Sequence, residues 1–409
     1  MKKYLQKFIL VAAFSIFILN TNAQNTWTKK ANLNALGGRY FATGFSIGDY
    51  GFVGTGNTTS GFADDFWKWN QKNNTWTSIA NYAGAGRYGI TSFSINGKGY
   101  ACLGWFGSSN LSDLWEYDTA TDTWTQKANF PGNPRYGAFV FVLGKKAYVG
   151  CGEPNGAPYY QDVYMYNSST DTWTAVASFP GGNRTSLCAF ALNGYGYVGC
   201  GWDHTTTYND MWRYDTTNNS WTSVASFPNS VEAPMSFVID SLAYVGAGYE
   251  VNGGKWSRDF WSYSSTTNTW SPIATLPGVS RWLGVGFTIN HKGYAGLGWD
   301  SASNDLQDYW EYSANSTEGI GSILEQQGEI TIYPNPSTGV FIIELNNEKA
   351  EVKNIEVYNI LGEQVCSQSS TNRSSLSIDL SSDPSGIYLY RIITKNGDLI
   401  SSGKMVLQK

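Results

Sequence analysis

From Asn25 to Ser313 the chain alternates apolar and polar positions in short runs punctuated by Gly, Asn and Asp. Period-two alternation with that punctuation predicts short antiparallel strands joined by tight turns. Phe190-Ala191-Leu192, a turn at Asn193-Gly194, and Tyr195-Gly196-Tyr197-Val198 leading into Gly199-Cys200-Gly201 read as one such hairpin. A third strand follows an aspartate with alternating aromatics, as in Asp65-Phe66-Trp67-Lys68-Trp69, and a fourth opens on a Trp-Thr or Trp-Ser pair.

The pattern recurs. The Trp pairs stand at Trp27, Trp76, Trp124, Trp173, Trp221 and Trp270, spaced by 49, 48, 49, 48 and 49 residues. The aspartates that open the third strand are Asp65, Asp113, Asp162, Asp210, Asp259 and Asp308. So regular a period predicts a repeat architecture with one four-stranded sheet per unit. Six inner sets and six Trp-bearing outer strands predict six blades over residues 24–313. One outer strand, at Trp27, precedes the first inner strand, and none follows Tyr312. The N-terminal strand is therefore expected to pair with the Asp308 to Tyr312 strand, complete the last blade and remove the exposed edges of an open array.

These elements resemble the kelch repeat: an arginine before the first strand, glycines after the second, and spaced Tyr and Trp on the outer strands. The resemblance covers Asn25 to Ser313 and implies an all-β, kelch-type β-propeller. The chain departs from the family in using Gly-x-Gly, as in Gly54-Thr55-Gly56, where adjacent glycines are usual, and Cys102 replaces the first glycine of the second unit. A local change in strand geometry is the expected cause.

All 17 tryptophans fall between Trp27 and Trp310, so the C-terminal segment is a separate composition. A linker is expected at 314–328 and a small β-sandwich at 329–409, from alternating runs at Val340 to Leu345, Ile355 to Tyr358 and Gly386 to Ile393. The motif Tyr333-Pro334-Asn335-Pro336-Ser337-Thr338-Gly339, the turn Asn359-Ile360-Leu361-Gly362, Gly386-Ile387-Tyr388 and Gly403-Lys404-Met405-Val406-Leu407 together resemble the type A sorting domain of type IX secretion. That resemblance implies the type IX machinery as a partner and passage across the outer membrane, to the medium or to an anchored position at the cell surface.

The other end agrees with export. Lys2 and Lys3, an apolar core from Phe8 to Leu19 and then Thr21-Asn22-Ala23 read as a signal peptide over 1–23, too short to be a stable membrane span. Charged residues make up 14% of the chain and aromatics 16%, a balance suited to sheets packed on rings. With 27 basic and 32 acidic residues there is no basic footprint for nucleic acid. Five cysteines are too few, and odd in number, for a disulfide framework; Cys188 and Cys200 flank one hairpin, where two buried thiols are favoured over a bridge.

Two sets of loops are expected on one face around the channel. The first carries Arg39, Arg87, Arg135, Arg184 and Arg281 at equivalent positions, with Glu232 expected where the fifth unit should have its arginine. Guanidinium forks suit an anionic ligand; equally, the repeated aspartate offers each arginine a structural partner. The second set holds Trp105, Trp202, Tyr249, Trp256 and Trp299, with Phe106, Asp203, His204, Tyr208 and Asp300 beside them. Aromatic faces edged with carboxylates suit sugar rings, or else pack between blades.

Kelch propellers include copper galactose oxidases and sialic acid mutarotases. The copper chemistry needs neighbouring histidines, and the only two here, His204 and His291, are expected on opposite faces. A mutarotase needs an acid–base carboxylate with cations around it, which Glu232 among the arginines could supply. There is no Ser-His-Asp set, metal-ligand cluster or phosphate-cradling loop, so neither metal nor cofactor is expected. The short, uniform loops favour a secreted binding protein over an enzyme, with glycan the first ligand class. A sugar-modifying enzyme and a protein-binding scaffold are the alternatives.

Overall fold

The computed structural model describes residues 25–33, 37–314, 330–345, 352–359, 363–369, 375–394 and 399–409. The expected signal peptide lies outside these residues. So do the expected linker beyond Ala314 and the 360–362 part of the expected tail turn. Every regular element among the described residues is a β-strand. The chain divides into two compact units between Asn315 and Ser316.

The first unit contains six four-stranded antiparallel sheets. In the first, Thr43–Ile47, Tyr50–Gly54, Phe66–Asn70 and Thr75–Ile79 follow in sequence order, and the next four sheets repeat that order. Their innermost strands touch in a closed circuit, with Val285–Ile289 of the last sheet packing against both Met235–Ile239 and Thr43–Ile47. This is a β-propeller. The interfaces between sheets are rich in aromatics: Phe45, Phe52 and Phe66 meet Tyr82 of the connecting segment and Ala101 and Tyr117 of the next sheet, all buried.

The last sheet is composed of both ends of the unit. Thr26–Lys30 pairs with Tyr309–Ser313 in the register Trp27 to Tyr312, as the strand count predicts. A second tie runs between blades. Each outer-strand tryptophan donates its indole N–H to an alanine carbonyl of the preceding blade: Trp76 to Ala31, Trp124 to Ala80, Trp173 to Ala128, Trp221 to Ala177 and Trp270 to Ala225, at 2.8–3.1 Å. Trp27 makes the same bond to Ala274 at 2.8 Å, so the closing blade is tied like the rest.

All five cysteines are free thiols. Cys188 lies opposite Gly199, one residue out of line with Cys200, and its thiol faces the Met211 sulfur at 3.8 Å.

The second unit has a three-stranded sheet (Ile330–Tyr333, Val340–Leu345, Ser375–Asp379) and a four-stranded one (Gln364–Ser369, Val352–Tyr358, Gly386–Thr394, Leu399–Leu407). Phe341, Ile343 and Ile378 of one share a core with Ile355, Val357, Ile392 and Met405 of the other, which makes a small β-sandwich. The Tyr333 to Gly339 motif is clipped to the final strand. Asn335 donates to the Lys404 carbonyl at 2.9 Å and accepts the Val406 N–H at 2.8 Å, and Ser337 N–H donates to the Val406 carbonyl. Tyr333 donates its hydroxyl to Glu344, and a side chain at Gly339 would strike Ser381.

Candidate functional site

The Gly-x-Gly departure has a geometric cause. The middle residue is left-handed in every blade: Thr55, Leu103, Cys151, Cys200, Ala247 and Leu297 have φ between 56° and 66°. That twist turns its carbonyl toward the arginine of the same blade, which donates to it: Arg39 to Thr55, Arg87 to Leu103, Arg135 to Cys151, Arg184 to Cys200 and Arg281 to Leu297. The following glycine, as at Gly56 with φ 93°, packs against the preceding turn so closely that a Cβ would sit 2.9 Å from the Tyr40 carbonyl oxygen.

Each arginine then forks onto the aspartate that opens the third strand. Arg39 meets both oxygens of Asp65 at 2.8 Å, and Arg281 meets those of Asp308 at 2.6 and 2.9 Å. Arg87, Arg135 and Arg184 pair likewise with Asp113, Asp162 and Asp210. Their flat faces are covered as well, Arg184 by Tyr208 at 3.8 Å and Arg135 by Tyr160 at 4.1 Å. All five guanidinium groups are buried. Of the two readings open in the sequence, the structure has the inter-strand pairs, with no guanidinium left to meet an anionic ligand.

The position of Glu232 is corrected by one residue. The Arg39, Arg87, Arg135 and Arg184 carbonyls accept N–H groups from Gly298, Gly56, Gly104 and Gly152; in the fifth blade the acceptor is Val231, from Gly201. Val231 therefore replaces the arginine. Glu232 is instead equivalent to Tyr40, Tyr88, Tyr136, Thr185 and Trp282, the residues immediately after it, and bridges to Tyr249 as they bridge to Asn57, Trp105, Glu153, Trp202 and Trp299. The fifth blade shows the loss of its arginine elsewhere. The indole N–H of Trp67, Trp115, Trp212 and Trp310 reaches the aspartate two residues before it, whereas that of Trp261 has no partner.

These two rings of residues frame a cavity of about 580 Å³. One side is aromatic: Tyr40 stacks on Trp299 at 5.5 Å, Trp282 stacks on Trp299 at 6.3 Å, and Tyr249 meets Trp282 edge-on at 5.3 Å. The lining also includes Glu153, Tyr159, Trp202, His204 and Glu232, the last bridged to Tyr249. Of the aromatics anticipated for a ligand, Trp202, Tyr249 and Trp299 line the cavity. Trp105 and Trp256 stand behind it, packed on Tyr88 at 5.1 Å and on Tyr249 at 4.9 Å. His204 lines the cavity, while His291 sits in the turn between inner strands Val285–Ile289 and Lys292–Gly296, beside Asp240.

The cavity is electrostatically one-sided. Among its described lining residues are two carboxylates and no lysine or arginine. Burial pushes the Glu232 carboxyl up to about 8, and the charge of Glu153 adds to the effect. Among the described residues nothing hydrogen-bonds to that carboxylate, although the residue is only 4% exposed. Burial also raises Glu153, against hydrogen bonds donated by Tyr136 and Tyr159. The Tyr159 hydroxyl lies 3.4 Å from His204 Nδ1, linking the histidine to the same cluster. The indole N–H groups of Trp202 and Trp282 are buried and have no protein partner.

Sequence reasoning missed Tyr40, Tyr88, Tyr136, Glu153, Tyr159 and Trp282. For five of them the signal was present: they hold fixed offsets, one residue after the arginine or one after Gly-x-Gly. Tyr159 stands three residues before Asp162, in a loop whose equivalents carry varied residues such as Asn110, Thr207 and Asp305.

Known proteins agree with this architecture. Residues 128–282 match the KLHDC2/KLHL20/DRC7 Kelch-repeats domain and residues 86–131 the Kelch motif. A solved structure described as "Structure of YjhT" superposes with a TM-score of 0.60 at 17% identity, over 68% of this chain and 96% of that one, a likeness of fold. No curated protein matches the chain in sequence. The first unit is thus a kelch-repeat β-propeller. Residues 331–408 match the Secretion system C-terminal sorting domain. The chain is a kelch propeller carrying a type IX sorting domain, secreted by that system to the cell surface or the extracellular space.

Proposed function

We propose that this secreted propeller is a carbohydrate-binding protein whose ligand seats in the cavity at the channel mouth. The observation that carries the reading is that stacked aromatic rings, Tyr40, Trp299 and Trp282, and the polar groups Glu153, Tyr159 and Glu232 line one cavity of about 580 Å³. A sugar offers an apolar ring face to the first and hydroxyls to the second, and a space of this size takes a small oligosaccharide end. The arginines are committed to their aspartates, so anion recognition has no support from them.

Glycan-array binding by the secreted chain from Gln24 tests this, alongside the Trp282→Ala variant. Selective binding that the variant loses supports the reading; binding to extracellular proteins and to no glycan overturns it. A sugar-modifying activity in the same cavity is the second reading, favoured by a carboxyl, Glu232, that changes protonation near neutral pH. Anomer exchange followed by NMR tests it.

A further inference from the structure

The cavity has a feature that a neutral sugar leaves unanswered. Glu232 is nine-tenths buried, lines the cavity, and receives no hydrogen bond or ion pair among the described residues. Its one charged neighbour of consequence is another carboxylate, Glu153. A buried carboxyl without a donor is costly, and two facing each other are more so. Every other buried charge of the ring system is answered: Arg39, Arg87, Arg135, Arg184 and Arg281 each have an aspartate. In the cavity lining Glu232 is left without a donor, and its neighbour Glu153 has only the hydroxyls of Tyr136 and Tyr159.

The missing partner is a cation. A protonated amine beside the two groups would displace the proton of Glu232 and donate to both carboxylates, and the ring faces around it add the attraction of aromatic quadrupoles for an ammonium group. A metal ion fits less well, because Tyr136 and Tyr159 already donate to Glu153 and the remaining wall is aromatic.

We propose that the sugar taken by this cavity is an amino sugar bearing a free ammonium group, held between Glu153 and Glu232 with its ring against Trp299 and Tyr40. The inference rests on the carbohydrate reading above and narrows it to unacetylated amino sugars. An N-acetyl group removes the charge and adds bulk where the carboxylates converge, so acetylated and neutral relatives are discriminated against.

Calorimetric titration of the mature chain at about pH 6 tests this with three oligosaccharide series of equal length: β-1,4-linked glucosamine, N-acetylglucosamine and glucose. The glucosamine series is expected to bind about tenfold or more tightly than the others, which corresponds to one lost charge-assisted contact. Glu232→Gln, a nearly isosteric change, is expected to abolish that preference while a thermal melt shows the fold intact. Equal or tighter binding of the acetylated or neutral series overturns the amino-sugar inference and leaves the carbohydrate reading standing. Failure of all three series overturns both. A lysine-rich peptide that displaces the glucosamine series with equal affinity overturns the sugar assignment and makes the site a general amine site.

Discussion

The carbonyl of Val231 accepts the Gly201 N–H at 2.9 Å, the bond that an arginine carbonyl accepts in four other blades. One apolar substitution thus keeps the backbone of the fifth blade while removing its cation. The same blade has the longest strands of the ring, Leu242–Glu250 and Lys255–Ser264, with a register shift between Gly246 and Gly248. Its extended hairpin contributes Tyr249 and Val251 to the cavity wall. The blade that departs most from the repeat is the one that supplies Glu232.

The arginine and aspartate pairs hold the ring together, so removing one partner strands a charge. Arg135→Ala is expected to lower stability by roughly 3 kcal/mol, because Asp162 and the Cys151 carbonyl lose their donors. Denaturant melts measure the loss. Ligand preference is expected to be unchanged, which separates this role from that of a recognition residue.

Glu232 makes stability depend on pH in a stated direction. Its carboxyl is raised in the folded state to about 8, so the fold favours the protonated form. Below about pH 4 both folded and unfolded chains hold the proton and there is no penalty; between the two pKa values only the unfolded chain ionises, and stability falls as pH rises. Above about pH 8 the cost is constant, on the order of a few kcal/mol. Glu232→Gln is therefore expected to leave the melting temperature nearly unchanged near pH 4 and to raise it at pH 8 and above.

The aromatic wall is expected to carry affinity more than stability. Trp299→Ala removes the ring on which Tyr40 and Trp282 both stack, and a loss of about tenfold or more in sugar affinity is expected by calorimetry. Trp105→Ala, behind the wall, is expected to weaken binding less than Trp299→Ala does.

In the tail, Asn335 holds the sorting motif to the last strand through two hydrogen bonds. Asn335→Ala is expected to cost the sandwich about 1–2 kcal/mol and to lower the amount of protein reaching the medium or cell surface, measured by fractionation. Substitution of exposed Thr338 is expected to be tolerated in the same assay.

The propeller is legible in the sequence because its signals repeat: an outer strand at Trp27 with none after Tyr312 predicts the closing pair, whose register, Trp27 opposite Tyr312, the structure supplies. The site was only partly legible, for the same reason inverted. Residue type alone aligns Glu232, the one odd charge, with the missing arginine; the backbone bond to Val231 shows the offset, and such bonds are not written in residue types. Trp202, Tyr249 and Trp299 were found by residue type. Glu153, at the same position in its own blade, was passed over because it is not aromatic, and what distinguishes it is burial beside Tyr136 and Tyr159. The arginines stood out as a ring of cations, yet their commitment to aspartates some 26 or 27 residues onward depends on how the strands register.

The bond from Trp27 to Ala274 joins residues 247 positions apart, and the strand that carries Trp27 pairs with the last strand of the propeller to be synthesised. Contacts of such long sequence separation form late, since the intervening chain must already be ordered. A truncated product ending before Tyr309 would hold its closing strand but have nowhere to dock it. Such a product also lacks the sorting domain, which begins further along the same chain. The export address is therefore synthesised only after the ring can close, and a fragment that cannot close its ring carries no address either.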